Sequence, residues 1–421
     1  MQAFQNPMTK DTLYRTTHKS GLDIIVWPQP KACSTYAVFA TRYGSVHNTL
    51  PTADGGIEVL PEGIAHYLEH KLFESEEGDA FTRFAVTGAD ANAYTSFERT
   101  AYLFHATENI LPSLEILLDF VQHPYFTEET VRKEQGIIGQ EIRMCEDDPD
   151  RCVLFNLLQA MYRNHPVRID IAGTVESIAN ITAELLYRCY ERYYNLHNMV
   201  LVVAGKITPD EVMDAADRLL RPAPPLTPLN FAVDEPKEVV KGYVEEKMPV
   251  AAPLFYLGFK EPKMAHNADT IAGSRLLSEL IAGKSSALYA QLMKDGLINA
   301  QFGVEYFNGP DFGVWLIGGE SADPKKVEDA VCKEIRRLQT EGIARDRFDS
   351  LKKAMYGQIV GGLDDASNCA ELVLGHVLDG IEPLSELQAL AKLTCEDIER
   401  QLRERIPVEH RTLSVVLPQA E

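Results

Sequence analysis

The chain has 421 residues, 45% of them hydrophobic and 24% charged, with a formal net charge of −21 at pH 7. That length can bury a large core in more than one domain, and the composition is that of a globular protein. So acidic a balance argues against binding nucleic acid through its phosphates, which needs a basic surface, whereas an acidic cleft would favour cationic peptides. No stretch approaches the ~18 consecutive apolar residues of a membrane span, and no basic segment leading into an apolar run marks a signal peptide. The seven cysteines are scattered, with Cys145 and Cys152 too far apart for a Cys-x-x-Cys pair. Such a set reads as reduced thiols, giving the expectation of a cytoplasmic protein with no membrane partner.

Residues 22–27 and 35–41 are rich in aliphatic and β-branched side chains and predict strands. Next comes Gly63-Ile64-Ala65-His66-Tyr67-Leu68-Glu69-His70-Lys71-Leu72-Phe73, in a helix predicted at roughly 62–73. On a helix, His66 and His70 lie at i and i+4, one turn apart on one face. That spacing lets two neutral imidazoles grip one metal ion, while Glu69 can reach a water held at an open coordination position. His-x-x-Glu-His is the inverted zinc-protease signature, in which the Glu is general base. The competing reading is a surface helix that carries two His and one Glu by coincidence.

A helix near 79–86 leads into Asp90-Ala91-Asn92-Ala93-Tyr94-Thr95, which predicts the first of two short strands joined near Ser96 to Arg99. Residues 110–121 predict an amphipathic helix ended by His123-Pro124. Thr127 then offers an N-cap, with Glu128 and Glu129 in the first turn where the helix dipole favours acids. This helix is expected to run to about Cys145 and stop before Pro149. Within it Glu134 and Glu141 are seven residues apart, which returns them to nearly the same face. With Ile137 and Ile138 near that face, it reads as turned inward, against the alternative of a solvated acidic helix. Helices at 152–163 and 182–195, a strand at 199–204 and a helix at 209–220 complete a first half.

Arg221-Pro222-Ala223-Pro224-Pro225-Leu226-Thr227-Pro228 is the clearest linker, and a linker over 222–236 divides the halves 1–221 and 237–421. After it the order of elements begins again, with strands at 253–260 and 312–317 and helices at 269–281, 325–340 and 345–362. Gly139-Gln140-Glu141 is echoed by Gly357-Gln358-Ile359, with Ile where the first half has Glu. The reading is an internal repeat whose second half has lost the metal ligands.

His66-Tyr67-Leu68-Glu69-His70, Asn92-Ala93-Tyr94-Thr95-Ser96, and Glu134 with Glu141 together resemble the pitrilysin/insulinase metallopeptidases, or inverzincins. The likeness is to short bacterial members similar to mitochondrial processing peptidase. It implies an α+β fold of two similar halves, each a mostly antiparallel sheet packed with helices, forming a clamshell-like chamber. It implies one zinc per chain on His66, His70 and Glu141, with Glu69 as general base and Glu134 outside the ligands, orienting a His. It also implies that 91–96 is an edge strand to which an extended peptide adds, so Asn92, Ala93, Tyr94 and Thr95 are the expected substrate contacts. Family members that act alone carry in the second half an Arg and, seven residues later, a Tyr. The matching stretch, 285–300, has neither at those places, and Lys294 is a poor replacement for a planar Arg fork.

The resulting expectation is a zinc metalloendopeptidase working with a second homologous subunit that supplies the Arg and Tyr. Maturation of ribosomally made peptides is suggested by analogy alone. The rivals are a non-catalytic scaffold subunit and a zinc-dependent peptide-binding subunit.

Overall fold

The strand Thr35–Thr41 is buried at all its positions, which its run of small, β-branched and aromatic residues permits in a strand covered on both faces. The computed structural model describes residues 1–6, 8–52, 55–76, 78–226, 233–261 and 266–419; residues 227–232 of the expected linker lie outside the described residues. Seven strands make the first sheet: β1 (Gln2–Gln5), β2 (Thr12–Thr17), β3 (Asp23–Pro28), β4 (Thr35–Thr41), β5 (Asp90–Thr95), β6 (Thr100–Ala106) and β7 (Met199–Gly205). Their order is β1-β2-β3-β7-β4-β6-β5, and only the β3–β7 pair is parallel.

The second sheet contains β8 (Tyr243–Met248), β9 (Leu254–Lys260), β10 (Gly303–Asn308), β11 (Gly313–Glu320) and β12 (Arg411–Pro418) in the order β8-β12-β9-β11-β10. Again only the pair at the β8 end is parallel. Strand for strand this repeats β3-β7-β4-β6-β5, so the fold is α+β with two structurally similar halves. The sequence reading lacked β8, β10 and β12; β10 and β8 are edge strands, exposed at two and four of their six positions, whose apolar residues are interrupted by polar ones.

The helices include α1 (Ile64–Leu72), α2 (Glu128–Glu146), α3 (Pro149–Met161), α4 (Arg345–Gly362) and α5 (Ala366–Leu378). The start of α3 was expected three residues later. Pro149 opens it at the first helical position, where its missing N–H costs nothing, and Asp148 caps it by accepting from Asp150 N.

The chain forms two compact units, each assembled from three segments: 1–142, 170–231 and 360–384 in one, 143–169, 232–359 and 385–421 in the other. Helix α3, which lies within the first half of the sequence, belongs to the second unit, and α5, from the second half, belongs to the first. Val373, Leu374 and Val377 of α5 pack on Val38, Ala40, Val200 and Val202 of the first sheet. The opposite face of that sheet packs on α1 and α2 through Leu68, Leu72, Val131, Ile138 and Ile142.

Candidate metal centre

Helix α1 starts at Gly63, whose φ of 87° is left-handed backbone that a side chain would strain. A Cβ there would also overlap the carbonyl of Ala172, and one on Gly173 would overlap the carbonyl of Glu62. Two glycines thus let two backbones touch, and Ser177 Oγ donates to Glu62 O at 2.8 Å, fixing where the helix begins. Eight of its nine residues are buried. Its position against α2 is set by Tyr67, whose hydroxyl donates to Val131 O.

On α2 the buried stripe is Val131, Ile138 and Ile142. Glu134 and Glu141 each lie three residues after a stripe position, so both carboxylates emerge on the same flank, facing α1. Ile137, expected near the inward face, is instead 48% exposed.

Three side chains converge there. His66 Nε2 lies 3.5 Å from one oxygen of Glu141 and His70 Nε2 lies 3.4 Å from the other. Among the described residues these three are the group of His, Cys, Asp or Glu side chains placed to hold a metal ion, with ligand atoms within 4.8 Å of one another. The imidazoles meet edge to face, 4.6 Å between centroids.

Glu134 is on the far side of His70, with Oε1 3.1 Å from Nδ1. A proton on Nδ1 shared with Glu134 leaves the Nε2 lone pair aimed at Glu141, the tautomer a metal ligand needs. Burial pulls the His70 pKa down, but the Glu134 hydrogen bond and the charges of Glu69 and Glu141 outweigh it and leave the value raised. The same hydrogen bond holds Glu134 below the usual carboxylate range despite its partial burial. His66 Nδ1 is buried with no hydrogen-bond partner among the described residues.

Two imidazole nitrogens and one carboxylate, with no fourth protein donor placed to join them among the described residues, suit a tetrahedral ion that keeps one position open. The donor set fits zinc.

Glu69 is buried beside this cluster, and Thr95 Oγ1 donates to its Oε2 at 2.8 Å. Behind it the hydroxyls of Tyr102 and Tyr194 meet at 2.8 Å. Burial first, and the Glu69 charge further down the order, push both phenols well above their ordinary value, so they stay neutral.

The expected substrate strand is an edge: among the described residues β5 pairs only with β6. Ser96 N–H donates to Arg99 O at 2.8 Å, so by the antiparallel alternation Tyr94 and Asn92 spend their backbone groups on β6. Ala91, Ala93 and Thr95 turn theirs outward; Ala93 N–H is taken by the Asn92 side chain at 2.9 Å. The side chains separate the other way. Thr95 faces Glu69, whereas Tyr94 lies on the opposite face, its hydroxyl donating to Glu371 Oε2 at 2.8 Å. The structure therefore brings Glu69 and Thr95 beside the His66–His70–Glu141 cluster, with Glu134 behind His70, and leaves the Tyr94 side chain away from it. Glu371 and Tyr36, which hold the strand from behind, carry no local sequence signal.

In the second unit the stretch 285–300 forms a helix over Ala287–Lys294, with Met293 and Lys294 exposed. Tyr289 packs its ring 5.9 Å from Phe302.

Residues 60–175 match the sequence pattern of the family described as Insulinase (Peptidase family M16), and residues 180–355 that described as Peptidase M16 inactive domain. A Bacillus subtilis protein named "Uncharacterized zinc protease YmfH" is 37% identical over 419 residues, 98% of each chain. The chain belongs to peptidase family M16. A crystal structure of an M16-like peptidase from Alicyclobacillus acidocaldarius superposes with a TM-score of 0.92 at 34% identity, over 97% of this chain and 98% of that one. A Schizosaccharomyces pombe protein named "Probable mitochondrial-processing peptidase subunit beta" is 28% identical over 208 residues, 48% of this chain and 43% of that one. The M16 resemblance read from the sequence is thus met over both halves.

Proposed function

We propose that the chain is a zinc metalloendopeptidase with His66, His70 and Glu141 as its metal ligands and Glu69 as its general base. The observation that carries this is the convergence of both Nε2 atoms and the Glu141 carboxylate beside a buried Glu69, in a chain related over nearly its whole length to a named zinc protease.

Zinc, when bound, supplies Lewis acidity and lowers the pKa of water to around 7. The protein's own part is proton handling and positioning. Glu69 has Oε2 occupied by Thr95, which leaves Oε1 to take a proton from the attacking water and return one to the leaving amine. Glu134 keeps His70 in the tautomer that presents Nε2. The outward backbone groups of Ala91, Ala93 and Thr95 pair with an extended peptide, which reads little sequence and orients the scissile bond.

The donor to the developing oxyanion is missing from 285–300, and we place it on a second homologous chain that supplies an Arg and a Tyr. A preorganised donor of that kind contributes about 2.7–4 kcal/mol, so turnover by this chain alone should be low. Support comes from the full candidate ligand set kept in a chain whose stretch 285–300 has neither residue at the matching places, and from a relative named as a subunit.

The deciding experiment compares native protein with Glu69→Gln for zinc content and peptide cleavage, each alone and mixed with a second M16 chain of the same organism. Equal zinc with cleavage lost only in Glu69→Gln is the expected result. Cleavage surviving in Glu69→Gln would remove Glu69 as base, and full cleavage by the isolated native chain would remove the partner.

A further inference from the structure

The two sheets share a register, which lets their faces be compared residue by residue. The β5–β6 hairpin closes with Ser96 N–H donating to Arg99 O, and β10–β11 closes the same way with Gly309 N–H donating to Phe312 O. Counting back, the row Tyr36–His105–Asp90 across β4, β6 and β5 matches Tyr256–Gly318–Gly303 across β9, β11 and β10.

The first row is self-sufficient. Tyr36 donates to Glu371 Oε1 at 2.8 Å, and Arg99 brings a guanidinium to 4.0 Å from Glu371 Oε2 and to 5.7 Å from the centre of the Tyr94 ring. Tyrosine, carboxylate and cation come from the chain itself.

The second row keeps the tyrosine and loses its neighbours. Two glycines stand in place of the imidazole and carboxylate, and a Cβ on Gly318 would overlap the Tyr256 ring, so the ring lies over bare backbone. The result is a cleft of about 340 Å³ lined by Tyr256, Asp150 at the start of α3, Glu305 on β10, and Leu316. Burial first, then the charges of Asp150 and Glu305, raise the Tyr256 phenol, so both carboxylates act on the ring. Among the described residues no Lys, Arg or His side chain pairs with either carboxylate, and the Tyr256 hydroxyl has no partner.

We infer that this cleft receives a cationic side chain, arginine or lysine, from an extended basic peptide bound along β10. The ammonium or guanidinium lies over Tyr256 between Asp150 and Glu305, and its methylene stem runs along Leu316. β10 is an edge strand with one neighbour, and the Gly309–Phe312 bond sets Val304, Tyr306 and Asn308 as the residues with outward backbone groups. A peptide strand pairing there hangs alternate side chains on the cleft's face. Charge complementarity and the glycine gap select a basic peptide. The site goes beyond the metal centre and requires binding only.

The test is fluorescence anisotropy with the full-length Glu69→Gln chain and a fluorescein-labelled nine-residue Thr/Val peptide carrying one central arginine. Its twin carries citrulline, neutral and nearly the same shape. The arginine peptide is expected to bind about tenfold more tightly, a preference weakening with salt because the pairs are partly exposed. Asp150→Asn with Glu305→Gln should abolish that preference. Gly303→Leu should abolish it independently, since a Cβ at Gly303 meets only the distant carbonyl of Gln301 and the strand can accept it. Neutralising two exposed acids elsewhere, Glu129→Gln with Asp214→Asn, should leave it intact. Equal binding of the two peptides, a preference that survives Gly303→Leu, or one lost equally in the Glu129/Asp214 control would overturn the inference.

Discussion

Thr95 Oγ1 donates a 2.8 Å hydrogen bond to Glu69 Oε2, tying β5, the proposed substrate strand, to the proposed base. The bond fixes which carboxylate oxygen is free for proton transfer. Thr95→Val keeps the shape and removes the donor. Zinc content should be unchanged while kcat falls about tenfold, because a hydrogen bond to a charged group contributes roughly 1.5–3 kcal/mol and part of it is recovered by water. A normal kcat in steady-state assays of the variant would show that Glu69 orients itself.

His70 and Glu134 give the centre a pH signature. A raised His70 pKa means the folded apo protein holds this proton more tightly than the unfolded chain. The pair therefore stabilises the apo fold fully below the ordinary histidine value near 6.5, and that contribution is lost as pH rises through the raised value. The lowered Glu134 sets the other limit: its contribution is present above its ordinary value of 4.5 and is lost as pH falls through the lowered one. Metal binding runs opposite to His70, because it needs the neutral ring. Zinc affinity, followed by competition with a chelating dye, should weaken by up to about tenfold per pH unit as falling pH protonates His70. Glu134→Gln should lower affinity about 10–100-fold at pH 8 and shift this dependence to lower pH.

Ala93→Pro probes strand addition. Ala93 N–H points away from β6 and is covered only by the Asn92 side chain, so the β5–β6 ladder loses no bond to proline. Zinc content and thermal midpoint should change little, while KM for a peptide substrate rises at least tenfold. Unchanged KM would move the substrate off this edge.

Gly63→Ala should fail for a mechanical reason. It forces a side chain onto left-handed backbone and against the carbonyl of Ala172. Roughly 1–3 kcal/mol of strain is expected from the backbone alone, enough to lower the thermal midpoint by several degrees and to reduce zinc occupancy by displacing the start of α1. A full complement of zinc in this variant would show that the helix start can move without consequence.

Much of the metal centre is legible in the sequence because helices preserve spacing. His66 and His70 at four residues, and Glu134 and Glu141 at seven, carry their geometry locally, and each pair needs only one helix to be correct. What pairs one helix with the other, Tyr67 to Val131, is nonlocal, and so is what fixes the start of α1, the close approach of Gly63 and Gly173; neither has a periodic signature. The edge strand is readable as a strand from Asp90 to Thr95, but which side chains face the site depends on the ladder with β6. That is why Tyr94 and Thr95, adjacent in sequence, end on opposite faces. The membership of α3 and α5 in the compact units is invisible in the sequence, since an apolar helical stripe does not say which sheet it will cover.

That last feature bears on how the protein is made. A nascent chain that has emerged as far as residue 221 carries His66, Glu69, His70 and Glu141, yet the β-surface formed by Val38, Ala40, Val200 and Val202 still waits for α5. Tyr94, which tethers β5, likewise waits for Glu371. The first unit therefore cannot close until translation has passed residue 378, and in the interval its uncovered sheet is a surface for chaperones or misassembly. Premature termination between residues 221 and 366 would remove α5 and leave that sheet uncovered without touching one of the proposed metal ligands.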